Sequence, residues 1–159
     1  MNHAYLLTGG NMGDRLLYLR QARHAIGKEG RIVQASSVYE TEAWGLQDQP
    51  LFCNQAIALQ TDHSAEALLE RLLSIEKTMG RTRQERYGPR LIDIDILFYN
   101  DAVIDQEGLH IPHPEVHNRR FALACLNEIA PDLVHPVTGK TVAQMLAACG
   151  DPLRVYKIS

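Results

Sequence analysis

Apolar positions along the chain change their period several times, and each change marks an element. Ala4 to Leu7 is a short apolar run that reads as a strand, leading into the turn-forming Thr8-Gly9-Gly10-Asn11-Met12-Gly13. Asp14 can cap a helix to about residue 28, with Leu17, Leu19, Ala22, Ala25 and Ile26 as its apolar stripe. Gly30 ends it. The β-formers Ile32, Val33, Val38 and Tyr39 predict one strand over residues 31–43, and glycine, proline and amides predict a loop over 44–50. From Phe52 to Thr61 the side chains alternate, placing Cys53, Gln55, Ile57 and Leu59 on one face and Phe52, Asn54, Ala56 and Ala58 on the other. Ser64 predicts an N-cap and Gly80 a stop, with Leu68, Leu69, Leu72, Leu73, Ile75 and Met79 as the buried side of the helix between them. Leu91 to Tyr99 reads as a further strand, followed by a hairpin turn at Asn100-Asp101. Beyond Ile111-Pro112-His113-Pro114, helices are expected over 118–129 and 141–148, before a short terminal segment.

The order β-α-β-β-α-β is the plan of a ferredoxin-like α+β domain, an open sheet with helices packed on its faces. A chain of 159 residues without linker, repeat or low-complexity tract fits one self-sufficient domain. Its 45% hydrophobic and 22% charged residues exclude a disordered polymer. Apolar runs of about five residues fall far short of the ~20 that a bilayer span needs. The start lacks the basic and apolar regions of a signal peptide, so a cytoplasmic location is expected. Cys53, Cys125 and Cys149 form no CxxC pair and are expected to be buried free thiols in a reducing compartment.

Net charge is −3, which disfavours counterion-driven binding to nucleic acid. Yet Lys77, Arg81, Arg83, Arg86 and Arg90 cluster against Glu85 alone, pointing to a local anionic ligand. Immediately downstream lies Leu91-Ile92-Asp93-Ile94-Asp95-Ile96-Leu97-Phe98. Alternation puts Asp93 and Asp95 on one face, with Cα atoms roughly 6.5–7 Å apart, and Ile92, Ile94, Ile96 and Phe98 on the other. Taken alone, the pair also fits a solvent-screened edge strand. Beside four arginines it reads as a metal and polyphosphate site, because oxygen ligands suit magnesium and guanidinium groups grip phosphate bidentately.

The run Arg86-Tyr87-Gly88-Pro89-Arg90-Leu91-Ile92-Asp93-Ile94-Asp95-Ile96-Leu97 resembles the signature of the 6-hydroxymethyl-7,8-dihydropterin pyrophosphokinases. The similarity extends to Gly9-Gly10-Asn11, to 36–41, to Gly45 with 47–50, and to Asn54. It continues through Glu76 with Gly80-Arg81, Ile111-Pro112-His113, Asn118-Arg119, Phe121 and 128–131. The resemblance implies a single pyrophosphokinase domain over 1–159 that moves the β,γ-diphosphate of ATP to the pterin hydroxymethyl group, releasing AMP in folate synthesis. It implies two Mg2+ ions held by Asp93 and Asp95, with Arg81 and Arg90 in the catalytic set beside them. Glu76, Arg83, Ile96, His113 and Arg119 match positions around ATP; Thr41, Trp44, Phe52, Asn54, Tyr87 and Phe121 match positions around the pterin. Asn54 can offer a donor and an acceptor to the pterin edge, and Tyr87 and Phe121 can sandwich its ring. Partners are then these small molecules, with no nucleic acid or membrane, and the chain is expected to act as a monomer.

Departures from the family pattern sit around the substrates. Phe52 stands where tyrosine is common, Tyr87 where tryptophan is, and Pro114 where tyrosine is; Glu42 and Trp44 replace smaller residues. The Arg-rich loop is about one residue shorter than in some relatives, which bears on Arg83 and Arg86. Gly139-Lys140-Thr141 resembles the end of a P-loop, but Val134 stands where the motif needs glycine, so a turn with Thr141 capping a helix is expected. His113 and His117 have zinc-like spacing, yet Pro114 opposes a helix presenting both. Two rival functions use the same residues: a magnesium-dependent nuclease, opposed by the acidic total, and a catalytically silent ferredoxin-like module.

Overall fold

The computed structural model describes residues 1–42, 49–80 and 91–158. In chain order these form β1 (Asn2–Gly10), α1 (Arg15–Ile26), β2 (Arg31–Ala35), β3 (Tyr39–Thr41), β4 (Phe52–Thr61), α2 (Ala65–Thr78) and β5 (Asp93–Tyr99). There follow β6 (Ile104–Gln106), β7 (Leu109–Ile111), a 3-10 turn (Val116–Asn118), α3 (Arg120–Ile129), α4 (Val142–Ala148) and β8 (Val155–Lys157). The main sheet runs β5-β1-β4-β3-β8, with β2 also on β4, and all its pairings are antiparallel. With β2 and β3 taken as one interrupted strand, this is the ferredoxin-like arrangement the element order predicts, extended by β8 at one edge.

Local chemistry starts the helices where expected. Asp14 accepts from Leu17 N at 3.1 Å, and Ser64 Oγ from Ala67 N at 3.1 Å. Thr141 and Gln144 form a reciprocal capping box, so the Gly139-Lys140-Thr141 stretch is a turn and a cap. The predicted helix over 118–129 begins two residues late, because the preceding residues take the tighter 3-10 turn.

Three strand expectations are corrected. The strand over 31–43 is broken into β2 and β3, with a register shift between Ile32 and Gln34 and a second break at Ser36. There Ser36 N donates to Ala56 O at 2.9 Å while Ser36 Oγ accepts from Ala56 N at 3.0 Å, so a hydroxyl replaces a ladder carbonyl. Asn100-Asp101 does turn, with Asn100 at φ 50° and Ala102 N bonded to Tyr99 O, but no hairpin results. β5 already pairs with β1, and β6 instead pairs with β7 across Glu107-Gly108, with Gly108 at φ 81°. Finally, Tyr5 opposes Phe98 while Leu6 opposes Ile96, which makes Leu97 the extra residue of a β-bulge. Phe98 therefore leaves the isoleucine face, and Tyr99 takes its place there.

The two faces of the sheet carry two cores. α1 and α2 bury Leu19, Ala22, Ile26, Leu68 and Leu72 against Leu6, Ile57, Leu59, Ile94 and Ile96. α3 and α4 bury Leu123, Leu126, Val142 and Met145 against Leu7, Ala56, Leu97 and Phe98. Cys53 and Cys125 are buried thiols, Cys125 with its pKa pushed up to about 12 chiefly by burial; Cys149 is only half-buried.

Candidate active site

Opposed residues of an antiparallel ladder project to the same face. Gly9 opposes Asp93 on one side and Asn54 on the other, and Asn54 in turn opposes Tyr39. Asp93, Gly9, Asn54 and Tyr39 thus form one row across four strands, on the face that carries α3. Two residues along β5, Asp95 opposes Leu7, so both aspartates lie on that face, half-buried between the buried Ile94 and its neighbours. Gly9, in the middle of the row, carries no side chain of its own, so the Asn54 amide reaches over it toward the Asp93 strand two strand spacings away, about 10 Å. A Cβ at Gly9 would collide with Asn54 Oδ1, so the amide needs that glycine.

The far end of this row is polar but buried. Asn54 is 4% exposed, and its Nδ2 has no hydrogen-bond partner among the described residues. A buried amide donor left unpaired is costly, and a ligand with an acceptor on its edge relieves the cost. Phe52 and Thr41 oppose each other one step further, on the same face by alternation. Thr41 Oγ1 is committed to Arg154 O at 2.8 Å. Phe121 closes the α3 side, 9% exposed, with Arg119 two residues before it at the helix start.

A second set of groups gathers on the outer edge of β5, which is an edge strand. Glu76, buried at the end of α2, accepts from Ile94 N at 2.6 Å, so its carboxylate grips the peptide between the two aspartates. His113 N donates to Leu97 O at 2.9 Å. Burial holds the His113 pKa down to about 4, with the Arg119 charge adding to it against the opposing pull of Glu115 and Asp93. Its Nδ1 accepts from Glu115 N at 3.1 Å, which leaves Nε2 to carry the proton of the neutral ring. Ile96 does not join the site through its side chain. It is 6% exposed in the α1/α2 core, and alternation leaves only its backbone on the open edge.

Arg81, Arg83, Arg86, Tyr87, Arg90 and Trp44 lie outside the described residues. Among those described, the structure thus brings Asp93, Asp95, Asn54, Phe52, Thr41 and Phe121 to one face, and Glu76 and His113 to the strand edge beside it. No group of three or more His, Cys, Asp or Glu side chains forms a closed metal site among the described residues. Two half-buried carboxylates with no thiolate in their row are the donor set magnesium takes, its remaining positions going to water and phosphate. One residue at the α3 start escaped sequence reasoning. Asp151, 6% exposed, accepts from Arg120 N at 3.0 Å. Its only local signal was the turn-forming Gly150-Asp151-Pro152.

Residues 5–131 match the family described as 7,8-dihydro-6-hydroxymethylpterin-pyrophosphokinase, HPPK. The chain belongs to the HPPK family. It is 44% identical over 160 residues to a 2-amino-4-hydroxy-6-hydroxymethyldihydropteridine pyrophosphokinase of Methylorubrum extorquens, covering 99% of each chain. A Bacillus subtilis protein of the same name is 40% identical over 158 residues, with 98% of this chain and 91% of that one covered. Among solved structures, a Plasmodium falciparum HPPK-DHPS shares the fold at TM-score 0.75 and 21% identity, over 92% of this chain. This chain spans 43% of that longer protein. No helix among the described residues is long and apolar enough to cross a membrane.

Proposed function

We propose that this chain transfers the β,γ-diphosphate of ATP to the hydroxymethyl oxygen of 6-hydroxymethyl-7,8-dihydropterin, releasing AMP in folate synthesis. The observation that carries the reading is the row Asp93–Gly9–Asn54: paired carboxylates at one end, an orphaned buried amide at the other, and only a glycine between them. The pterin binds at the Asn54 end, where Nδ2 and Oδ1 meet its edge and Phe121 covers one face of the ring. The phosphate chain of ATP lies over Asp93 and Asp95, with the nucleoside toward Glu76, His113 and the β5 edge. Magnesium ions held by Asp93 and Asp95 would neutralise phosphate charge and acidify the attacking hydroxyl.

In the step itself the pterin oxygen forms a bond to the β-phosphorus and the bond from that phosphorus to the bridging oxygen of AMP breaks. The hydroxyl proton passes to solvent. His113 serves as a neutral donor through Nε2, a role its depressed pKa preserves at physiological pH. Glu76 keeps Asp93 and Asp95 in register by holding the Ile94 peptide. Catalysis rests on positioning and charge neutralisation, with no covalent intermediate. The same reading takes Arg81 and Arg90 to the phosphates and residues 1–159 to one pyrophosphokinase domain.

The test is AMP formation from ATP, with and without the pterin alcohol, in magnesium and after chelation. AMP release that requires both the alcohol and the metal is expected. ATP consumption indifferent to the alcohol, or none at all, overturns the reading.

A further inference from the structure

Residues 149–158 lie beyond the matched family region, which ends at residue 131, yet they touch both walls of the site. On the α3 wall, Asp151 Oδ2 accepts from Arg120 N at 3.0 Å while Oδ1 accepts from Leu153 N at 3.0 Å. Arg120 reciprocates, with Nε donating to Asp151 O at 3.2 Å and Nη2 to Cys149 O at 2.7 Å. The residue at the N-cap position of α3 makes no side-chain cap, so Asp151 supplies it from the far end of the chain. On the β3 wall, Arg154 O accepts from Thr41 Oγ1 at 2.8 Å and Arg154 N donates to Glu42 Oε1 at 3.3 Å. β8 then pairs with β3 in register.

A terminal clasp of this kind could serve stability alone. What argues for more is where its contacts fall. Arg120 stands between Arg119 and Phe121, and the residue gripped on the other wall is Thr41, so the clasp meets the fold at the residues that face the substrates. We propose that Asp151 is a positioning residue for diphosphate transfer: through Arg120 it holds Arg119 and Phe121 in place, while the strand after it holds Thr41. This rests on the reading under Proposed function. Without the clasp, the first turn of α3 is free before binding and must be ordered by the pterin, so affinity falls while the bound geometry survives.

The experiment compares Asp151→Asn, which leaves one acceptor for two N–H groups, with the native chain at a temperature where both are fully folded. Initial rates are taken against the pterin alcohol at saturating ATP, and amide exchange is followed at residues 120–123. Asp151→Asn is expected to raise KM for the pterin about 3- to 30-fold, the span of a lost helix cap, with kcat within about twofold and faster exchange at 120–123. Arg120→Gln, which removes the guanidinium bonds to the Asp151 and Cys149 carbonyls, should raise KM in the same direction, and the double variant by less than the product of the two, because both sets of bonds hold the same first turn. A lower thermal midpoint with unchanged KM makes the clasp purely structural and overturns the inference. If Asp151→Asn fails to fold, Arg120→Gln decides by the same split of KM from kcat. A native chain that releases no AMP sinks the functional reading instead; calorimetric titration with the pterin alcohol then decides for Asp151, weaker binding by the variant supporting it and equal or absent binding overturning it.

Discussion

The two faces of the sheet are built for different ends. Beneath α1 and α2, Leu6, Ile57, Leu59, Ile94 and Ile96 meet leucines and isoleucines from both helices at almost no exposure, and the polar pair beside Ile94 is bonded within the fold, Thr8 Oγ1 donating to Gln55 O and Gln55 Nε2 to Ser36 O. Beneath α3 and α4 the apolar rows stop. Leu7, Ala56 and Leu97 are covered, but one row on, Asp93, Gly9 and Asn54 put carboxylate, bare backbone and amide in the same layer. One face is sealed and supplies stability. The other gives up part of its burial to polar groups, the half-buried Asp93 and Asp95 and the buried Asn54. β5 serves both faces at once, with isoleucines behind and aspartates in front.

Four experiments test that division. Asp95→Ala should lower diphosphate transfer by about 10³-fold or more. Its circular dichroism should be unchanged, since half-buried Asp95 belongs to neither apolar core; near-normal turnover in magnesium would take the aspartates out of the reaction. On the sealed face, Leu72→Ala empties a fully buried site and should cost about 2–5 kcal/mol of unfolding free energy, with KM for both substrates unchanged. Denaturant unfolding and steady-state kinetics on the same preparation check both halves.

The third concerns acid. Burial is the main cause holding His113 and His135 below their ordinary pKa, aided by Arg119 for the first and His117 for the second. The unfolded chain therefore takes up more protons once pH falls below about 6.5, so stability is full above that pH and declines toward about 4. For His113 the loss is on the order of 2 kcal/mol at pH 5. Urea midpoints from neutral to acid pH should show this slope, and His113→Gln should flatten it; an unchanged slope would mean the ring titrates normally. The smallest effect is that of Gly9→Ala. The new methyl pushes Asn54 aside, so KM for the pterin should rise about tenfold with little change in ATP affinity; equal loss for both substrates would place Asn54 elsewhere in the site.

What could be read from the chain was whatever depends on neighbours within about four residues. The two-residue spacing of Asp93 and Asp95 set their common face, Ser64 and Thr141 announced their helices, and the order of elements implied the sheet. Register, by contrast, is a property of two strands. The Leu97 bulge that turns Phe98 to the other core exists only against Tyr5 and Leu6 of β1, and the Ser36 break only against Ala56. Nor does local pattern show that Gly9 lies between Asp93 and Asn54, or that Asp151 caps a helix beginning 31 residues earlier. Those facts needed the chain to fold back on itself, because side-chain direction is local while opposition across a ladder, and closure of a helix end by a distant carboxylate, are decided by which backbones meet.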